Sequence, residues 1–244
     1  MLKTRVLTAL VLLAVFLLCL FYLPDAYWGG VLVLALLVGA SEWANIAAYS
    51  RRGKWAYVMA TAALGFGLFA LGTGRLPSTV VFGISLLFWL VVAPAWLKLK
   101  WRIENRVVLA VVGWILLLPT GLALFELRAA SPVLLLGLMG VVWVSDIAAY
   151  FTGRAFGRRK LAPAISPGKT WEGVLGALSA VALYGWAWQM AGARFFTRAA
   201  LDGYALALWG TLALWLLAYF GILGDLFESW MKRQAGMKDS GRIL

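Results

Sequence analysis

Long apolar stretches separated by short polar connections run along the whole chain. Each stretch is close to the roughly 20 residues that an α-helix needs to cross a hydrocarbon core. The eight stretches cover residues 6–23, 28–49, 55–71, 79–97, 107–125, 132–151, 173–191 and 204–223. Because hydrocarbon offers no hydrogen-bond partners, such segments must satisfy their own backbone groups as helices. The pattern predicts an all-α polytopic membrane protein with about eight transmembrane helices.

The stretches leave no room for a separate soluble domain, so we expect one integral membrane unit. Residues 1–130 would supply helices 1–5, and residues 131–244 would supply helices 6–8 with the loops that carry the chemistry. Composition agrees, since the 244 residues are 64% hydrophobic and only 13% charged. That balance excludes a water-soluble protein, whose surface needs more polar coverage.

The lysines and arginines are distributed unevenly over the connections. With eight helices, 18 of the 22 fall on one side, and only Arg75, Arg128, Arg194 and Arg198 fall on the other. Cytoplasmic loops retain positive charge, so we expect both termini to be cytoplasmic. The net charge of +12 follows from this topology and from attraction to anionic lipid headgroups, and it also suits anionic substrates.

Carboxylates inside apolar helices are costly and therefore mark candidate functional positions. Asp146 lies in the sixth stretch, about one turn before its cytoplasmic end, with Tyr150 one turn further along the same face. Two interpretations stay open at this point. Asp146 is either a functional carboxylate at the membrane surface or the partner of an arginine in the next loop.

The loop between the sixth and seventh stretches combines cations, glycines and hydroxyls, the groups that bind phosphate. Its Gly168-Lys169-Thr170 is not a P-loop, because Pro163 stands where that motif needs glycine and no strand precedes it. We expect Ser166 to cap a helix that begins at Pro167, with Lys169, Thr170 and Glu172 in its first turn. Exposed amides there, together with Lys169, would bind an anion. A plain helix cap beside a topogenic basic loop is the alternative, and it leaves Glu172 at a membrane entry unexplained.

Polar residues continue beyond the eighth stretch at helical spacing. Asp225, Glu228, Ser229 and Lys232 recur at i, i+3, i+4 and i+7, which places them on one face of a cytoplasmic juxtamembrane helix. Two carboxylates, a hydroxyl and an ammonium on one face suit a divalent metal with phosphate. The alternative is a solvated helix with internal ion pairs.

These residues resemble the signature of the phosphatidate cytidylyltransferase (CDP-diglyceride synthetase) family. Ser229, Lys232, Arg233, Lys238 and Asp239 match its C-terminal pattern at the right spacing. The upstream residues that also match include Asp146, Tyr150, Gly153, Arg154, Gly157, Ser166, Pro167, Lys169, Thr170, Trp171, Glu172 and Gly173, together with Gly224, Asp225 and Glu228. The resemblance covers residues 146–244 firmly.

The resemblance implies transfer of CMP from CTP to phosphatidic acid, giving CDP-diacylglycerol and pyrophosphate in phospholipid biosynthesis. It implies catalytic roles for Asp146, Lys169, Asp225 and Lys232, with Asp225 and Asp146 as ligands of Mg²⁺. A second metal ion is left open. Substrate-binding roles fall to Ser166, Thr170, Glu172, Ser229, Arg233, Lys238 and Asp239. We expect a multi-pass protein of the bacterial inner membrane with a cytoplasmic active site, in contact with membrane lipids and without a nucleic-acid partner; a homodimer is left open.

The family signature should continue past Gly241 into further acidic residues thought to share the metal, but this chain stops at Leu244 and contains no histidine. It therefore resembles a truncated member, which we expect to be inactive as it stands. A membrane transporter and a non-catalytic membrane scaffold are the alternatives. A transporter should place charged groups or broken helices near the middle of the bilayer, whereas the candidate residues here cluster at one surface.

Overall fold

The computed structural model describes residues 2–70, 78–191 and 203–237. Within these ranges the chain is an all-α polytopic membrane protein of eight helices, as predicted. The helices are α1 (Leu2–Tyr22), α2 (Asp25–Ile46), α3 (Arg51–Ala70), α4 (Ser78–Leu99), α5 (Arg106–Ala130), α6 (Pro132–Phe156), α7 (Trp171–Met190) and α8 (Gly203–Gln234). In the described residues, five are long and apolar enough to cross a membrane: α2, α4, α5, α6 and α8.

Helix α8 is longer than its apolar stretch. The polar face predicted as a separate juxtamembrane helix is the continuous extension of this helix as far as Gln234. Nothing interrupts it at the boundary, because Gly224 is tolerated inside a helix that neighbours hold in place. Asp225 and Glu228 are therefore fixed rigidly to a membrane-spanning element.

Aromatic rings hold the end of α8 against α4. A π-helical turn, Phe88–Val92, interrupts α4 and brings two neighbouring rings onto Phe227. The ring centroids of Phe88 and Trp89 lie 5.5 Å and 6.0 Å from that of Phe227, and Trp96 from the following turn lies at 5.4 Å. All three contacts are edge-on, the arrangement that aromatic quadrupoles favour. The cluster fixes α8 at Phe227, between Asp225 and Glu228.

The loops rich in lysine and arginine meet at one end of the helix bundle. Tyr49, after α2, donates a hydrogen bond from its hydroxyl to the carbonyl oxygen of Arg106 at 2.6 Å. Gln234, at the end of α8, exchanges two hydrogen bonds with the backbone of Ile103 in the connection between α4 and α5. This grouping of loops is the one that the charge distribution predicts.

At the opposite end of the bundle, a buried arginine joins three helices. The guanidinium of Arg128 is 7% exposed and lies 2.5 Å from the carboxylate of Asp25. It also donates to the carbonyl oxygens of Leu20, at 2.9 Å, and Leu23, and it stacks over the ring of Trp28 at 5.3 Å. The last carbonyls of a helix have no partner within the helix. Arg128 therefore caps α1 and joins it to α2 and α5.

A short β-hairpin lies between α6 and α7, where a helix start was predicted. Strands β1 (Lys160–Ala162) and β2 (Ser166–Thr170) pair antiparallel, so Ser166 is not a helix cap and Pro167 is not a first helical residue. Helix α7 begins four residues later, at Trp171, with Thr170 as its cap. The prediction was wrong because β1 offers Ser166–Thr170 backbone partners that local sequence does not reveal.

Candidate active site

A cavity of about 890 Å³ opens at the loop-rich end of the bundle, between α6, the hairpin, the start of α7 and α8. This volume is within the roughly 300–1,000 Å³ typical of small-molecule sites. Its polar lining includes Asp146, Tyr150, Arg154, Lys160, Ser166, Lys169, Thr170 and Asp225. Three cations and two carboxylates give the cavity a net positive charge, which favours an anionic ligand.

An ion pair stands at the centre of this cavity. The ammonium of Lys169 lies 2.5 Å from the carboxylate of Asp225 and donates to the carbonyl oxygen of Ile222 at 3.2 Å. Asp146, on α6, interacts electrostatically with both members of the pair. Asp146 and Asp225, predicted from two separate helices, therefore belong to one site.

The hairpin fixes the position of Lys169 through its two ends. At the tip, Ile165 is 6% exposed and packs into the main apolar core with Phe227 and Trp230. At the base, Thr170 is 5% exposed, and its hydroxyl accepts a hydrogen bond from the amide of Gly173 at 3.2 Å. Lys169 directly precedes this cap, so its backbone is held where the side chain reaches α8.

Glu172 closes the segment that leads into the hairpin. Its exposed carboxylate accepts hydrogen bonds from the backbone amides of Arg158 and Arg159, at 3.1 Å and 3.2 Å. Its own backbone amide, followed by those two, lowers the pKa of the Glu172 carboxyl. Glu172 therefore stays ionised and orders the loop, and it lies outside the cavity lining.

Glycines let α6 and α7 approach closely enough to form the cavity wall. A β-carbon on Gly176 would lie 2.2 Å from the hydroxyl of Thr152, and one on Gly173 would lie 2.9 Å from the carbonyl oxygen of Ala149. Real β-carbons do not come this close, so both positions require glycine at this helix spacing. The spacing sets the separation between Asp146 and the hairpin.

The structure brings five of the predicted site residues together: Asp146, Ser166, Lys169, Thr170 and Asp225. Glu172, Ser229, Lys232 and Arg233 are outside the lining of this cavity. The ammonium of Lys232 instead lies 2.6 Å from the carboxylate of Glu228. Lys238 and Asp239 lie outside the described residues. Among the described arginines, none is within ion-pair distance of Asp146, so the structure does not support the arginine interpretation.

Two cavity cations were given no role from the sequence, although Arg154 is among the residues that match the family signature. Arg154 donates to the hydroxyl of Tyr150 at 3.0 Å, and Lys160 stands at the start of β1. Both lie in a loop whose positive charge is already explained by the membrane topology, so the sequence alone gave no reason to assign them a chemical role. The glycines at 153, 157 and 168, which also line the cavity, were the signal that the chain here approaches a ligand.

The oxygens around Lys169 fit Mg²⁺. Carboxylates of Asp146 and Asp225 and the carbonyl of Ile222 are the hard donors that this ion prefers. Within the described ranges no group of three or more histidine, cysteine or acidic residues is suited to a metal. Two carboxylates are nevertheless enough where substrate phosphates and water complete the shell, as is usual for Mg²⁺. The site therefore suits an ion that arrives with a phosphate ligand.

The chain is similar to known proteins of one family. Residues 3–244 match the Cytidylyltransferase family. The phosphatidate cytidylyltransferase of Pseudomonas aeruginosa is 36% identical over 256 residues, covering all of this chain and 88% of that protein. The enzyme of the same name from Haemophilus influenzae is 31% identical over 278 residues, covering all of this chain and 90% of that protein. One from Brucella suis is 44% identical over 130 residues, covering 51% and 44% of the two chains. The chain therefore belongs to the cytidylyltransferase family.

Proposed function

We propose that the protein is a phosphatidate cytidylyltransferase, which makes CDP-diacylglycerol from CTP and phosphatidic acid. The relatives with this name cover the whole chain. The observation that carries the proposal is the pairing of Lys169 with Asp225 beside Asp146, in a net positive cavity at the end of a membrane-embedded bundle. That site can receive a triphosphate from water and a lipid phosphate from the bilayer.

The reaction needs no covalent enzyme intermediate. An oxygen of the phosphatidate phosphate attacks the α-phosphorus of CTP and forms the new P–O bond. The bond from the α-phosphorus to the bridging oxygen breaks, and pyrophosphate leaves with that oxygen. Catalysis of such a displacement comes from positioning and from neutralising the charge that develops on the phosphoryl oxygens.

The cavity residues have complementary roles in this proposal. Asp225 and Asp146 hold Mg²⁺, which when bound spreads the negative charge on the triphosphate. Lys169, Arg154 and Lys160 bind phosphate oxygens. The Ser166 and Thr170 hydroxyls stand at the same wall and donate hydrogen bonds to the ligand. The lysine and arginine distribution supports a cytoplasmic cavity, where CTP is available as a solute, and the bacterial relatives support a location in the inner membrane of a bacterium.

Radiolabelled CTP and phosphatidic acid in detergent with Mg²⁺ test the proposal. We expect labelled CDP-diacylglycerol, with its formation lost in Asp225→Asn and retained in Asp25→Asn at the opposite end of the bundle. A second protein should carry in addition the C-terminal segment of the Pseudomonas relative, of which this chain covers 88%. Product from either protein, lost in its Asp225→Asn variant, supports the proposed function. No product from either overturns the proposed function and favours a membrane scaffold.

A further inference from the structure

Lys169 lies against the oxygens that the proposed function assigns to a metal ion. Its ammonium touches a carboxylate oxygen of Asp225 and the carbonyl oxygen of Ile222, and it interacts electrostatically with Asp146. These are the oxygens that the proposed function assigns to Mg²⁺ or leaves available to it. An ammonium and a divalent cation cannot both lie against one carboxylate oxygen without strong repulsion at this distance.

We propose that Lys169 is an exchangeable counter-ion that keeps free metal out of the site and gives way only when the metal arrives with the triphosphate. This inference rests on the proposed function. The triphosphate supplies a second set of anionic oxygens in the same cavity, so the ammonium moves from Asp225 to phosphate as the metal takes its place. Metal and nucleotide then bind together, and each raises the affinity for the other.

The surroundings of the pair suit an exchange. The side chain of Asp225 is 57% exposed and that of Lys169 is 21% exposed, so the carboxylate is open towards the cavity. Lysine carries a compact charge on a flexible four-carbon stem, and rotations of that stem move the ammonium without moving the backbone. The backbone stays fixed, because Thr170 caps α7 and Ile165 is buried in the core.

Gly168 leaves open space beside Lys169. A β-carbon at this position would have nothing within 4 Å, and the residue lines the cavity next to Lys169. The backbone there leaves open space for a bulky anion beside the lysine. Phosphates that occupy this space would share the cavity with Lys169, Arg154 and Lys160.

Metal binding without phosphatidate tests the exchange apart from catalysis. Mn²⁺ affinity, measured by electron paramagnetic resonance in detergent without nucleotide, should rise at least about fivefold in Lys169→Met and in Lys169→Gln, the lower end of typical coupling between sites. Addition of CTP should strengthen Mn²⁺ binding in the wild type by a larger factor than in either variant. Lys98→Met, which removes an exposed cation at the same end of the bundle, is the matched control and should leave both values unchanged.

A second substitution locates the bound metal. Asp225→Asn in the Lys169→Met background should abolish the gained Mn²⁺ affinity. Unchanged or weaker binding in both lysine variants would overturn the proposal, as would a gain that persists without Asp225. These results do not depend on turnover. Loss of the proposed function would appear as absent CDP-diacylglycerol in the CTP assay, whereas loss of this inference would appear as unchanged metal affinity.

Discussion

The two ends of the bundle each contain a cation paired with a carboxylate at 2.5 Å, yet the two pairs are built for different purposes. Arg128 is 7% exposed, and its guanidinium also binds two backbone carbonyls that close α1. Lys169 is three times as exposed and has one backbone partner, and its carboxylate faces a cavity. Distance alone therefore does not distinguish a structural ion pair from a functional one.

The two cations differ in whether other acceptors can replace the oxygens that they already bind. The planar guanidinium of Arg128 donates hydrogen bonds to three separate oxygens, so its displacement would leave all three oxygens without this donor. The ammonium of Lys169 can be replaced by another cation at Asp225 and can find new acceptors on a phosphate. The Arg128 pair joins three helices, whereas the Lys169 pair lines a cavity and is the one that we propose to exchange.

The largest effect should come from removing the carboxylate at the open end. In a protein with cytidylyltransferase activity, Asp225→Asn should lower turnover by at least about 100-fold, the scale for losing one group that stabilises developing charge. Its melting temperature should stay close to that of the wild type, because Asp225 is exposed. Product formation and thermal unfolding in detergent check this. A variant that unfolds but keeps its turnover per folded molecule would assign Asp225 to the structure instead.

Removing the cation at the closed end should have the opposite outcome. Arg128→Met should destabilise the protein by about 2–3 kcal/mol, since hydrogen bonds to charged groups contribute roughly 1.5–3 kcal/mol each and Asp25 can be resolvated. Turnover per folded molecule should remain. Thermal unfolding is the measurement, with Arg52→Met as control because that side chain is exposed. Equal melting temperatures for the two variants would show that Arg128 does not hold α1, α2 and α5 together.

The close packing of α6 against α7 beside the cavity can be tested by replacing a glycine between them. Gly176→Ala should cost about 1–3 kcal/mol, the range for overpacking, because the new methyl would collide with Thr152. Gly83→Ala is the control, since nothing lies within 4 Å of a β-carbon there. Comparison of the two melting temperatures isolates the collision from the helix preference of alanine. A similar change in both would show that α6 and α7 adjust freely.

The smallest effect should be the pH dependence of the loop that Glu172 closes. Hydrogen bonds from its own amide and those of Arg158 and Arg159 lower the pKa of Glu172. Its stabilising contribution is therefore complete above the ordinary value of 4.5 and is lost as the pH falls through the lowered pKa. The melting temperature of the wild type should exceed that of Glu172→Gln at pH 6, and the gap should close in acid. A gap that does not change with pH would contradict this account.

Sequence reasoning located the helices because the membrane imposes one simple pattern, long apolar runs with internal hydrogen bonds. It also located Asp146 and Asp225, since a carboxylate at the edge of such a run is costly. It did not find the hairpin, because Ser166-Pro167 carries a helix-start signal that pairing with the nearby strand β1 overrides. It could not separate Lys169 from Lys232 either. Both recur in the family signature, but only the fold shows which of them reaches the cavity.

The length of helix α8 before Asp225 fixes how far along the helix axis this residue lies. Asp225 stands 22 residues after Gly203, the first residue of the helix, which at 1.5 Å per residue is about 33 Å along its axis. This is close to the roughly 30 Å thickness of a hydrocarbon core, so the helix is long enough to cross the core before it reaches Asp225. One inserted residue would raise Asp225 by about 1.5 Å and turn it by about 100° away from Lys169. The length of α8 before Asp225 therefore helps to bring this carboxylate against Lys169 in the cavity.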